Sequence, residues 1–140
     1  MHQHLFLKFV PVLLCCFLSF LQNDQIPEGL WKAEKVSLSD QFEYNPSSRA
    51  NLEQIAEALE GSVLELRKNG RASFRTKVPQ FQVPEARWSY EEDDASLTLT
   101  DKRNPSVVIM EFIVVTTGQN SLFYLSESPF VLEMNRVKNE

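Results

Sequence analysis

Apolar and polar residues alternate over most of this chain, and a period of two is typical of β-strands with one buried face. Asn69-Gly70 is the strongest hairpin signal among the turns that separate the alternating runs. The predicted strands cover residues 29–36, 62–68, 71–78, 86–91, 95–100, 107–116, 121–126 and 130–137. Because closure removes exposed strand edges, we predict an all-β fold with one helix: an eight-stranded antiparallel up-and-down β-barrel. A flattened sandwich is the alternative.

One segment has a helical period instead. Its apolar positions, spaced i, i+3, i+4 and i+7, are Leu52, Ile55, Ala56 and Leu59. They predict an amphipathic helix over about residues 49–60, between the first two strands. Ser47-Ser48 can cap its start, and Gly61 is the usual residue for its end.

The N-terminus predicts export from the cytoplasm. Lys8 precedes an apolar run over residues 9–21, and polar residues follow abruptly from Gln22. Because this run is too short to cross a bilayer comfortably and its charge lies on the N-terminal side, we predict a signal peptide over residues 1–22 and a barrel domain over 23–140. The expected location is the periplasm or the outside of the cell. A short uncleaved anchor is one alternative. Lipid attachment at Cys16 is another, although no small residue precedes that cysteine as lipoprotein processing prefers.

Composition narrows the chemistry of the mature domain. Both cysteines and both histidines lie in the leader, so the barrel is expected to have no disulfide, no thiol nucleophile, no imidazole base and no Cys or His metal ligand. The formal net charge is −5, and removing the leader with its one lysine makes it −6. An acidic chain without a basic stripe is a poor partner for nucleic acid. We predict no cofactor, no metal and no transmembrane helix in the mature protein.

Two short signals at the ends of the barrel resemble a known family. Gly29-Leu30-Trp31 is a G-x-W motif in the first strand, and Arg136 lies in the last strand. In the lipocalin superfamily such a tryptophan packs beneath an arginine of the final strand and closes one barrel end. The chain is therefore similar to the small lipocalin-like proteins exported by bacteria of the Bacteroidetes kind. The resemblance implies a lipocalin/calycin-like barrel in which Gly29, Trp31 and Arg136 are structural closure residues.

The middle of the chain adds to this resemblance, and one feature departs from it. The stretches LEGSVLELRKNGRASF, from Leu59, and WSYEEDDASLTLTD, from Trp88, are similar to the repeated turn-and-strand pattern of that group. The lipocalins of eukaryotes have their helix after the barrel, whereas this chain has it between the first two strands. The ligands of the eukaryotic lipocalins therefore cannot be inferred for this chain.

The interior of a small barrel is either filled by side chains or holds one ligand. The inward-facing residues that we expect to contact a ligand are Phe74, Trp88, Tyr90, Leu97, Leu99, Phe112, Tyr124 and Leu132. They suit a small apolar or aromatic molecule, with tyrosine hydroxyls as polar contacts. We therefore predict a non-catalytic protein that binds a small hydrophobic ligand in the barrel. The alternative is a structural or protein-interaction module in which these side chains pack against one another.

The long strand over residues 107–116 is apolar on both faces, so we expect the helix to cover its outer side. Glu111 shares a face with Ile109 and Ile113. It either points outward beside the helix, which we favour, or inward as a polar contact for a ligand. An enzyme, a hydrolase or isomerase, is the minor alternative, and Glu111 is its first candidate. The acidic run Glu91–Asp94 lacks the spacing of a calcium loop and is typical of a hairpin turn.

Overall fold

The computed structural model describes residues 27–117 and 120–138, so the predicted signal peptide lies outside the described residues. Each strand pairs antiparallel with the next, and the last pairs with the first, which closes the barrel. The strands are β1 Gly29–Leu38, β2 Val63–Leu66, β3 Arg71–Arg75, β4 Val83–Glu91, β5 Ser96–Thr100, β6 Val108–Thr117, β7 Asn120–Leu125 and β8 Phe130–Val137. Helix α1, Pro46–Leu59, lies between β1 and β2, and a short 3-10 turn, Pro79–Phe81, precedes β4. The predicted eight-stranded barrel with one helix between the first two strands is confirmed.

The strand register places one set of side chains inside. Directly paired residues of neighbouring antiparallel strands point to the same face. Phe123 pairs with Val114 on one side and with Leu132 on the other, and Leu132 pairs with Val36. This row therefore lies on the inner face of four consecutive strands in the closed ring.

A chain of four aromatic rings crosses the interior. Trp31 lies 5.2 Å from Phe123, Phe123 lies 5.7 Å from Phe112, and Phe112 lies 6.2 Å from Phe74, measured between ring centroids. The tilted and edge-to-face angles are those that aromatic rings prefer. Phe112 and Phe123 are 0% exposed, so no water-sized space adjoins them. The middle of the barrel is filled by side chains.

Helix α1 begins one turn earlier than predicted. Asn45 is the cap: its Oδ1 accepts from the backbone N–H of Ser48 at 2.8 Å, and Pro46 takes the first helical position, where no N–H is needed. The expectation that Ser47-Ser48 would cap the helix is therefore wrong. Gly61 follows the helix with a φ of +86°, a left-handed conformation that glycine adopts without strain.

The helix does not cover the outer side of the long strand, which is a correction to the prediction. It packs against β1, and its buried residues, Ala56 and Leu59, join the core cluster. The reason is connectivity: only short loops join α1 to β1 and to β2, whereas β6 stands across the ring from β2. No helix therefore covers the outer face of β6 in the described residues, and Val108 is 56% exposed.

Strand β4 starts earlier than predicted. Pro84, which lies before the predicted strand over residues 86–91, is the second residue of β4. The pairing of β3 with β4 shifts in register between Ala72 and Phe74, next to this proline. Because proline has no N–H to donate to a ladder, it is tolerated in a strand at such an irregularity.

We predict that Phe112→Ala lowers the free energy of unfolding by about 3–5 kcal/mol, because it removes one of the two middle rings of the aromatic chain and leaves a cavity. Phe42→Ala is the matched control: Phe42 is 45% exposed, and its loss is expected to cost about 0.5 kcal/mol or less. Urea denaturation of both variants measures the difference. Equal losses in the two variants would contradict a filled aromatic core.

Candidate functional site

Five of the eight predicted ligand residues lie in the packed interior. Their side chains contact one another in the core cluster and are at most 1% exposed: Phe74, Leu97, Leu99, Phe112 and Leu132. The sequence correctly placed them on the inner face. They are packed too closely for a small molecule to lie between them.

Trp88 and Tyr90 are on the same inner face but only half-buried. They pair with Leu99 and Leu97, whose side chains point inward. The Nε1–H of Trp88 donates to the carbonyl of Arg67 at 2.8 Å, which ties β4 to the β2–β3 hairpin. The pKa of Tyr90 is raised, first by burial of its hydroxyl and then by the negative charge of Glu92. These two side chains therefore lie at the barrel end that carries the β2–β3 and β4–β5 turns.

Tyr124 lies on the outer face, contrary to the prediction that it faces the interior. Its neighbour Phe123 points inward, and Tyr124 itself is 37% exposed. It pairs with Ile113 and with Val131, both on the outside of the barrel. Because successive residues of a strand face opposite sides, Phe123 and Tyr124 cannot both line the interior.

The three residues that carry the lipocalin resemblance meet at one barrel end. The guanidinium carbon of Arg136 lies 4.6 Å from the centre of the Trp31 ring, and its Nη1 donates to the carbonyl of Glu28 at 2.7 Å. The Nε1–H of Trp31 donates to the carbonyl of Pro27. Gly29 has a φ of +131°, and a Cβ there would lie 3.4 Å from the Arg136 Nη1. Glycine is thus favoured by the backbone conformation, whereas a Cβ would make only an ordinary van der Waals contact with the arginine.

The candidate site is an open groove of about 510 Å³ at the start of β6, which we call the β6 groove. Its lining residues are Phe81, Val108, Ile109, Met110, Glu111, Leu125, Ser126, Glu127 and Ser128. Met110 and Leu125 are buried, while Val108 and Ile109 are exposed at the surface. The groove thus combines an apolar surface with a few polar groups, as small-molecule sites commonly do.

Glu111 lies in this groove on the outer face of β6, where it pairs with Thr98. Its Oε1 accepts from the Oγ of Ser126 at 3.0 Å, and its carbonyl accepts from the Ser126 N–H at 2.9 Å. The outward orientation that we favoured is correct, but its neighbour is the β7–β8 turn and not the helix. Sequence reasoning missed the serines of this turn and Phe81. The apolar character of both faces of β6 was the available signal for a site here.

Sites of two other kinds are absent from residues 27–117 and 120–138. These residues contain no cluster of three or more His, Cys, Asp or Glu side chains arranged to hold a metal ion. Within the same residues, no helix has the length and apolar character needed to cross a membrane.

The geometry defines the class of protein as a closed up-and-down barrel with a filled interior and one helix after β1. No protein-family model matches the chain, and no curated protein matches it. Among solved structures, a DUF4847 family protein from Bacteroides vulgatus is similar, with a TM-score of 0.46 and 10% sequence identity over 81% of this chain and 95% of that chain. The eight-stranded barrel that the lipocalin-like resemblance implies is confirmed. The resemblance to that family itself remains a prediction.

We predict that Arg136→Lys lowers the free energy of unfolding by about 0.5–2 kcal/mol, because it loses the planar guanidinium over the Trp31 ring. Arg87→Lys, on an exposed position of β4, is the matched control and is expected to change stability by about 0.5 kcal/mol or less. Thermal and urea denaturation measure both. An Arg136→Lys variant as stable as the control would exclude a closure role.

The raised pKa of Tyr90 predicts a loss of stability at alkaline pH. The folded state favours the neutral hydroxyl, so the contribution is complete below the ordinary tyrosine pKa of 10.0 and is lost as the pH rises through the higher folded value. We expect Tyr90→Phe to reduce this alkaline decline, measured as the free energy of unfolding against pH. Tyr124→Phe retains Tyr90 and is expected to keep the decline. Identical pH profiles for the wild type and Tyr90→Phe would contradict the assignment.

Proposed function

We propose that this chain is a non-catalytic, exported, lipocalin-like binding protein that takes a small apolar ligand in the β6 groove instead of the barrel interior. The observation that carries the proposal is the combination of a filled interior with bare apolar side chains at this groove. Val108 and Ile109 are exposed, although most other large apolar residues of the strands are buried. Covering them with a ligand removes apolar surface from water, which is favourable.

The size and charge of the groove support an amphiphilic ligand. A volume of about 510 Å³ lies within the range of about 300–1,000 Å³ that small-molecule sites have. Glu111 and Glu127 supply two carboxylates at the polar side, whereas no lysine or arginine lines the groove. An apolar tail over Ile109 with a cationic head group near Glu111 therefore fits its chemistry.

The serines of the β6 groove do not favour a catalytic role. The groove offers carboxylates and serine hydroxyls, yet Ser126 donates to Glu111, and Ser128 donates to the carbonyl of Leu125 at 2.8 Å. Ser128 contacts a carbonyl, and the carboxylate partner of Ser126 is a weaker base than the imidazole that usually activates a serine nucleophile. These contacts support a role in shaping the β7–β8 turn.

Two detergents with the same tail and opposite head groups test the proposed ligand class. Below the concentration at which micelles form, dodecyltrimethylammonium is expected to bind more tightly than dodecyl sulfate, measured by calorimetry. Ile109→Ser is expected to weaken binding on the order of tenfold, because part of an isoleucine side chain no longer contributes apolar contact. Glu111→Gln is expected to remove the preference for the cationic head group.

The matched control is Val137→Ser. Val137 is 36% exposed against 42% for Ile109, but it lies at the other end of the barrel, where β8 ends. Unchanged affinity in this control together with a loss in Ile109→Ser supports the groove. Equal effects of the two substitutions, or no detergent binding at all, would overturn the proposed site.

Export is tested by expression of the full chain in a bacterial host. We expect the protein outside the cytoplasm, with a new N-terminus between about residues 16 and 25, as an apolar leader of this kind predicts. Cell fractionation and N-terminal sequencing measure both properties. Recovery of the protein in the cytoplasm with residue 1 retained would refute the proposal of export.

A further inference from the structure

A second groove lies on the wall opposite the β6 groove and has a different chemistry. It has a volume of about 520 Å³ and is bordered by the cations Lys32, Arg75 and Lys77, which we use to define it as the cationic groove. Lys32 pairs with Val63, and Val63 pairs with Arg75, so these three residues form one row on the outer face of β1, β2 and β3. With strands spaced by about 4.8 Å, the two cationic residues flank Val63 and can both reach one ligand above it.

The three cations have no ion pair within the described ranges 27–117 and 120–138. Four other basic residues in these ranges do pair with carboxylates: Arg49, Arg67, Arg71 and Lys102. One carboxylate, Glu60, borders the cationic groove, and its Oε2 accepts from the backbone N–H of Val36 at 3.3 Å. Three cations against one carboxylate leave a positive surface on an otherwise acidic protein.

The carboxyl end of α1 also borders this groove, and its partial negative charge attracts cations. Two of its last carbonyls already have backbone donors: Glu57 accepts from the N–H of Glu60, and Leu59 accepts from the N–H of Ser62. None of the three cations hydrogen bonds to them in the described structure. The carbonyls at the end of α1 therefore accept no hydrogen bond from Lys32, Arg75 or Lys77.

The neutral groups of the groove are arranged as donors. The Oγ1 of Thr76 accepts from the Ser62 Oγ at 2.7 Å and from the Val78 N–H at 3.3 Å, which leaves the Thr76 hydroxyl proton for another acceptor. The Oε1 of Gln82 accepts from the Thr76 N–H at 2.9 Å, which leaves the Gln82 amide N–H groups to donate. Cations together with unused donors are complementary to negatively charged oxygens.

We propose that the cationic groove binds a small ligand that carries at least two negatively charged oxygens, either a phosphate ester or a dicarboxylate. Such a ligand lies over Val63, contacts Lys32 and Arg75 from both sides, and accepts from Thr76 and Gln82. This site is distinct from the β6 groove, since the two grooves share no lining residue, although Phe81 of the β6 groove and Gln82 of the cationic groove are consecutive.

The test is a titration of purified ¹⁵N-labelled protein with pyrophosphate and, separately, with succinate, followed by NMR. Saturable shifts are expected at the amides of Ser62, Val63 and Thr76, and the tighter of the two probes identifies the oxyanion chemistry. The affinity is expected to fall as sodium chloride is raised from about 0.05 M to about 0.5 M, because salt screens exposed charges.

A double variant and its control separate a site from general charge attraction. Arg75→Gln with Lys77→Gln is expected to weaken binding by about tenfold or more, since two of the three cations are lost. Arg87→Gln with Lys68→Gln removes the same charge from exposed positions outside the groove and is expected to bind as the wild type does. Amide spectra of the unliganded variants check that both remain folded.

Three results would overturn the proposal. The first is the absence of saturable shifts with both probes. The second is an equal loss of affinity in the two double variants, which would show attraction by overall charge. The third is binding of a long polyanion such as heparin without binding of either small probe, which would assign the surface to polymers.

Discussion

The aromatic chain Trp31–Phe123–Phe112–Phe74 is the constraint on which the rest of this structure depends. Its rings come from β1, β7, β6 and β3, so one contiguous contact joins strands that are far apart around the ring. Edge-to-face aromatic pairs are favourable beyond the apolar area that they bury. A barrel of eight strands has room for either such side chains or a ligand, and here the side chains occupy that room.

Because side chains fill the interior, a ligand or partner can bind only at the outer surface. The closed barrel in turn limits how such a partner can bind. Every strand is paired on both sides, so no edge offers backbone groups to an added strand. Recognition on the barrel wall therefore depends on side chains. The β6 groove and the cationic groove meet this condition with opposite chemistries on opposite walls, one apolar and acidic, the other basic and rich in donors.

The alternation of residues predicted the strands and most of the inner face, because a period of two places Leu97 and Leu99 on one side wherever polar residues separate them. It failed at Tyr124, since β7 has apolar residues on both faces and only pairing with Leu132 assigns Phe123 to the interior. The prediction that Ser47-Ser48 caps α1 failed for another reason: Asn45 accepts from the Ser48 N–H, and Pro46 takes the first helical position. The grooves were beyond prediction, because each unites segments that are distant in sequence.

The position of α1 explains why the two walls differ. A helix tied to β1 and β2 by short loops lies over that side of the barrel, where Leu59 is buried and Glu60 reaches the backbone of β1. It cannot also shield β6 across the ring, so the apolar residues there stay in contact with water. Exposed apolar surface that is not needed for packing is unfavourable for solubility, and monomeric proteins keep such patches small unless they bind something. The exposure of Val108 and Ile109 at a groove with a carboxylate therefore supports the proposal that a ligand covers them.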